Sequence, residues 1–202
     1  MLRSRALLTV LIAWNVAMLH NAAVNVAEVR LAFRAFDAGQ FGLGLMMGCA
    51  GIGLALGAYL AGQWVERRGL ANVYGASLGL MAIGIGLAAV APNVWVAAAC
   101  VVISGAGNGS AVVCNALLVQ RGAPDQFRGR AFAVLMSSNV AMLTIGMILA
   151  GHLTDVYGPR WVWGVAAVLA AVAGAIGYFL ARGAAVGERA RTEEPPVPVP
   201  TA

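Results

Sequence analysis

The sequence predicts an all-α membrane protein of six transmembrane helices, arranged as two inverted three-helix repeats. Three observations carry that expectation. The first is solvent preference: 61% of the 202 residues are hydrophobic and only 10% are charged, against roughly 25% charged in soluble domains. A soluble fold of this size has too little interior to hide so much apolar surface. The second is where the charges fall. Charge-free runs cover 6–27, 38–65, 69–120, 131–154 and 161–181, and about 20 apolar residues cross the hydrocarbon core. Spanning segments must be helices or closed barrels, and these runs lack the alternation of barrel strands. The third is a repeated motif, described below.

The elements follow in order. Span one, 6–27, sits behind Arg3 and Arg5. Its start imitates a signal peptide, but the apolar run exceeds the usual 7–15 residues and five more spans follow. Span two, 41–62, ends at the charged cluster Glu66-Arg67-Arg68. The long run 69–120 is broken by Pro92-Asn93 into spans three, 71–91, and four, 94–119. Span five, 131–153, follows the segment PDQFRGRA, and span six is 161–182. Residues 183–202, GAAVGERARTEEPPVPVPTA, lack an apolar core and end Pro-rich, which predicts a disordered cytoplasmic tail.

Several function classes fall away here. Cys49, Cys100 and Cys114 all lie inside spans without metal-ligand spacing, so packing is the expected role. No catalytic residue, metal site or cofactor is assigned. The basic balance, pI about 9.7, does not point to nucleic acid, because the arginines sit at membrane edges. With both termini cytoplasmic, the inside holds Arg3, Arg5, Arg67, Arg68, Arg121, Arg128, Arg130, Arg182, Arg189 and Arg191, and the outside only Arg30, Arg34 and Arg160. That bias sets the orientation.

The repeat links two turns. Gly57 to Gly69 and Gly146 to Gly158 both read G-x-x-L-A-G-x-x-x-[DE]-x-x-G, at the offset of 89 that carries Gly57 onto Gly146. Span two falls on span five, three spans apart, so the two turns face opposite sides of the membrane. Inverted three-helix units of this kind are typical of secondary transporters. The same offset relates span one to span four and sets Asn15 on Ser104, Asn21 on Ser110 and Asn25 on Cys114. Asn21 and Asn25 are one helical turn apart and Asn108 and Asn115 two, so each pair shares a face. Amides in hydrocarbon need a partner or water. These asparagines are candidates both for interhelical hydrogen bonding and for lining a substrate cavity. Glu28, at the outer end of span one, is the carboxylate near a polar face and so a candidate for proton coupling, but it is expected to pair with Arg30 or Arg34 instead. The pairs Gly44/Gly48, Gly53/Gly57, Gly75/Gly79 and Gly105/Gly109 are helix-packing signals.

Six spans, the loop carried by Gly62, Glu66, Arg67 and Gly69, and the segment Pro124 to Ala131 resemble the major facilitator superfamily. More narrowly they look like the carboxyl-terminal half of its bacterial exporters, the group that includes enterobactin-type and macrolide efflux proteins. The resemblance covers about residues 6–182. It implies half of a twelve-span transporter in a bacterial inner membrane, moving a small molecule by alternating access. Gly62, Glu66, Arg67 and Gly69 would then form a conformational-gate loop, although Glu replaces the family's Asp, and Leu70-Ala71 replaces its basic pair. Asp125 is expected to cap span five, with Arg128 and Arg130 anchoring its start. The partners implied are the bilayer, a small-molecule substrate, and a second six-helix half or a second copy. Two alternatives stand beside this: an inactive truncated fragment, told apart by whether six more spans are encoded immediately upstream, and an intramembrane enzyme. The latter needs a nucleophile turn with a nearby histidine. Ser104 lacks the motif, and His20 and His152 lie in different spans.

Overall fold

A computed structural model describes the backbone of residues 5–123 and 125–192, with side chains for 7–123 and 126–182. Among the described residues the regular structure is entirely helical. Helix α1 is one rod made of Arg5–Thr9, a π turn Val10–Trp14, Asn15–Arg30 and a second π turn Leu31–Ala35. It is followed by α2 (Gly39–Arg68), α3 (Leu70–Ala89), α4 (Val94–Gly122), a 3-10 turn Asp125–Phe127, α5 (Arg128–Tyr157) and α6 (Pro159–Thr192). All six helices are long and apolar enough to cross a membrane by length and composition.

The helix ends have local causes. Asn93 caps α4, its side chain accepting from the Val96 N–H at 3.0 Å, the preferred use of Asn at that position. α2 and α3 are joined by Gly69 alone, and α5 and α6 by Gly158 alone, after which Pro159 opens α6. Proline suits the first helical position, where its missing N–H costs nothing. α1 runs past the charges Glu28, Arg30 and Arg34, well beyond the apolar run that predicted its end at 27. Charges near a helix end reach the interface without ending the helix. α6 likewise continues past 182 to Thr192, so ten residues assigned to the tail are helical, while 193–202 lie outside the described residues.

Side-chain contacts fix the packing directions. α2 runs parallel to α4, with Gly53 against Val102 and Gly109 against Leu54. α1 runs parallel to α5, with Asn15 against Ser138 and Gly146 against Leu19 and Ala22. α3 is antiparallel to α4, with Gly84 on Ser104 and Gly107 on Ser77 and Met81. It is also antiparallel to α6, with Gly86 on Ala167 and Gly75 on Tyr178. α6 is antiparallel to α1: His20 Nδ1 lies 2.8 Å from the Ala166 carbonyl, and Trp163 Nε1 donates to the Val24 carbonyl at 3.2 Å. The order across the bundle is α5–α1–α6–α3–α4–α2, and α1 meets α4 chiefly through its first turns, Arg5 to Trp14.

Two regularities stand out. The helices α2 and α3 begin at Gly39 and Leu70, and α5 and α6 begin at Arg128 and Pro159, each at the offset that carries Gly57 onto Gly146. The pairing order is also unchanged when the first three helices are exchanged for the last three. Two buried clusters hold the bundle. One surrounds Trp14, Tyr74, Cys114 and Leu118, and the other surrounds Leu31, Met46, Ile85 and Trp163. At the end where α2 and α4 begin and α5 ends, Phe41 packs on Trp95 and Tyr157 stacks on Trp161. Such half-exposed aromatics favour a membrane–water interface.

Arg160 serves this same end. Its Nη1 donates to the carbonyls of Ala89 (3.0 Å) and Ala91 (2.8 Å), and its guanidinium lies 5.1 Å over the Phe36 ring. The last carbonyls of α3 have no partner within their own helix, and a cation there also opposes the helix dipole. Arg160→Leu is expected to lower stability by about 1.5–3 kcal/mol, seen as a reduced melting temperature of the detergent-solubilised protein. An unchanged melting temperature would show that water serves those carbonyls equally well.

Candidate functional site

The charged cluster after span two forms the last turn of α2. Gly69 has φ 81 and ψ 149; its N–H donates to the Val65 carbonyl at 2.9 Å, and its own carbonyl accepts from the Val73 N–H at 3.2 Å. The repeated copy is built alike. Gly158 has φ 88 and ψ 161, donates to the Thr154 carbonyl at 3.1 Å and accepts from the Val162 N–H at 3.3 Å. Only glycine enters this backbone region freely. The recurring final glycine in the sequence therefore has a conformational cause.

The copies differ in their charges. Gly62, Glu66 and Arg67 are exposed, and Gly62 has open space where a side chain would go rather than a closely packed neighbour. Among the described residues no ion pair reaches Glu66 or Arg67; the one ion pair joins Arg30 to Asp155. It ties the end of α1 to the end of α5. The residue at the repeat offset from Arg30 is Val119, so the first copy has no equivalent arginine. The acid engaged by an arginine is thus in the copy that the sequence reading left without a role.

This pair also overturns the expected partner of Glu28. Arg30 is turned to α5, and Glu28 is 5% exposed with Oε1 meeting no hydrogen-bond donor among the described residues. About half a turn of helix separates the two directions: residues 28 and 30 lie roughly 200° apart on the α-helical wheel, so one side chain faces the bundle while the other faces α5.

Before α5, the 3-10 turn Asp125–Phe127 intervenes, and the residue at the N-cap of α5 is Phe127, with no side-chain hydrogen bond to the helix. The Asp125 side chain lies outside the described residues. Arg128 Nη2 donates to the Gln120 carbonyl at 3.0 Å, stitching the start of α5 to the end of α4. Arg130 lies 6.0 Å over the Phe127 ring. Both are exposed, as anchoring residues should be.

The five asparagines separate by environment. Asn15 is half-buried, donating to the Leu11 carbonyl (2.5 Å), within the π turn it follows, and to Ser138 Oγ (3.2 Å). Asn21 is half-buried and donates back to the Ala17 carbonyl at 3.2 Å. Asn25 is exposed and Asn108 half-buried. Asn115 is 8% exposed with both amide atoms unpartnered. Asn15 is therefore interhelical glue, whereas Asn25 and Asn108 keep accessible surface. α1 and α4 do not bring these two faces together along their length, because they meet chiefly through the first turns of α1.

Several polar residues escaped the sequence reading. Asn139, with its amide nitrogen donating to the Leu135 carbonyl, accepts from Trp14 Nε1 at 3.3 Å. Ser110 donates to the Gly57 carbonyl at 2.9 Å, inside the seam formed by Gly53, Gly57, Gly105 and Gly109. Of the glycine pairs, only these two are packed throughout: Gly44, Gly48 and Gly79 face open space. The repeat would have pointed to Asp155, since it stands where Glu66 does. Nothing in sequence marks the long-range partner of Asn139 or of Ser110, since Trp14 and Gly57 lie more than fifty residues away.

In comparison with known proteins, the family model for the Major Facilitator Superfamily matches residues 6–201, a range that takes in the segment after span six. No curated protein and no solved structure matches the chain.

Proposed function

Since the chain belongs to the Major Facilitator Superfamily, we propose that it is one six-helix half of a secondary membrane transporter. In this reading it exports a small molecule across a bacterial inner membrane by alternating access, in the manner of enterobactin-type and macrolide exporters. The observation that carries it is the unchanged pairing order, together with the common offset of the two helix starts in each half that follow the first helix. Both fit two three-helix units in inverted topology, the architecture that lets one fold present a central site to either side. Gly62, Glu66, Arg67 and Gly69 form the cytoplasmic gate loop, and Asp125, Arg128 and Arg130 hold the cytoplasmic start of α5. Both termini are cytoplasmic.

The polar faces imply a partner. Asn25 and Asn108 keep accessible surface on α1 and α4, where lipid contact is unfavourable. A second six-helix half or a second copy covers them and encloses the substrate path. The test uses cells expressing variants without the native thiols. Asn21→Cys and Asn108→Cys are expected to crosslink to a partner chain, and Arg68→Cys to react with an impermeant maleimide only in inside-out vesicles. De-energised cells should retain a fluorescent efflux substrate that energised cells expel. A protein that stays monomeric and moves nothing is an inactive fragment instead, and labelling of Arg68→Cys from outside intact cells reverses the orientation.

A further inference from the structure

We infer that Glu28 is the counter-charge for a cationic substrate, so that the molecule carried is a lipophilic organic cation rather than an anionic chelator. The inference rests on the transporter reading above and chooses between the drug and siderophore classes that it leaves open. Glu28 lies about two turns inside the end of the span Leu7–Ala35, whereas Glu66 and Asp155 sit in the last turns of theirs. It is more than nine-tenths buried, and Oε1 meets no donor among the described residues.

The neighbouring cations are committed elsewhere. Arg30 pairs with Asp155 on α5, and Arg160 on α6 donates to two carbonyls at the end of α3. Arg34 is exposed in the second π turn. Burying a carboxylate without a partner is among the costliest substitutions for water a protein makes, and an ionisable group inside a span marks a substrate or ion path. A ligand that brings its own positive charge supplies the missing partner, whereas an anionic ligand adds repulsion to the same cost.

A polar stripe also leads along the helix to Glu28. Asn21, Asn25 and Glu28 stand at i, i+4 and i+7 on α1, one face of the helix. Along that face exposure changes from half-buried Asn21 and exposed Asn25 to buried Glu28. Because α1 and α4 meet chiefly through residues Arg5 to Trp14, this stripe lies beyond their contact. An amphipathic cation whose apolar body follows the helices and whose charge meets Glu28 fits it. Asn25 then offers an amide about one turn away.

The test is binding to the full chain in lipid nanodiscs, with tetraphenylphosphonium as the probe and tetraphenylborate as its anionic counterpart of the same shape. The wild type is expected to prefer the cation. Glu28→Gln should weaken cation binding about tenfold or more, the scale of losing one buried charge partner, while Glu28→Asp retains most of it. In the unaltered chain, saturating tetraphenylphosphonium should protect Glu28 from modification by dicyclohexylcarbodiimide, read by mass spectrometry. This protection arm does not depend on a variant folding. Equal cation binding by wild type and Glu28→Gln, absence of protection, or preference for the borate each overturns the proposal. Glu28-dependent binding in a chain that expels no substrate supports this site and removes the transport reading instead.

Discussion

Gly57→Ala and Gly109→Ala, together, are expected to separate α2 from α4 and cost the protein its folded state. A Cβ built on Gly57 would lie under 3.0 Å from the Ala106 carbonyl, and one on Gly109 under 3.0 Å from the Leu54 carbonyl. Real Cβ atoms do not approach other atoms so closely, and the obstacle is backbone rather than a side chain that can turn aside. Overpacking costs about 1–3 kcal/mol where side chains can rearrange, so each of these substitutions is expected at or above that range. Separating the helices also strands Ser110, whose hydroxyl donates to the Gly57 carbonyl. Gly44→Ala and Gly48→Ala, on the same helix but facing open space, are the controls and should leave the melting temperature unchanged. A double variant that melts with the controls would show that α2 and α4 are held by something other than this seam.

The second large effect is expected at the two terminal glycines of the repeat. Gly69 and Gly158, at φ 81 and φ 88 with extended ψ, occupy a region that costs other residues on the order of 1–3 kcal/mol. Gly69→Ala and Gly158→Ala should each lower stability by that amount, although a Cβ at either position would meet nothing within 4 Å. The strain comes from the chain itself, not from crowding. The turns lie at opposite ends of the bundle and share no partner, so the double variant should show the sum of the two losses. Gly62→Ala and Gly151→Ala share the open surroundings but have ordinary helical backbone, and they are expected to be nearly silent in the same thermal melts. Equal losses at all four positions would mean that something other than the positive φ governs them, because helix propensity alone favours alanine.

The parts of the fold legible in the sequence were those written in local chemistry. Charge-free runs located six helices, Pro92-Asn93 divided the longest run where Asn93 caps α4, and the repeated motif anticipated two turns of matching geometry. Helix lengths were less legible. A hydropathy run stops at the first charge, whereas α1 carries Glu28, Arg30 and Arg34 inside its helix because one is buried in the bundle and another is paired across to α5. The candidate site was legible only in kind. Asparagine spacing put Asn21 and Asn25 on one face, but which amides are glue and which remain accessible depends on neighbours far along the chain. Asn15 finds Ser138, and Trp14 finds Asn139. The glycine pairs show the same limit: Gly44/Gly48 and Gly53/Gly57 read alike, and only the second faces another helix closely.

The order α5–α1–α6 across the bundle has a consequence for how the protein is made. Within the bundle, the helix made before the other five takes its place between the two made after the other four. The hydrogen bond from Asn15 to Ser138 spans 123 positions, and at about 5–20 residues per second of synthesis the partner arrives roughly 6–25 s later. Through that interval α1 waits in the bilayer or the insertion machinery with Asn15, His20 and Glu28 lacking the α5 and α6 surfaces that later enclose them. α2, α3 and α4 can meanwhile close against one another through their glycines. The nascent chain therefore presents a sealed three-helix wedge beside one polar, unsealed helix, and that helix is the natural ward of an insertase or chaperone until α5 and α6 have been made.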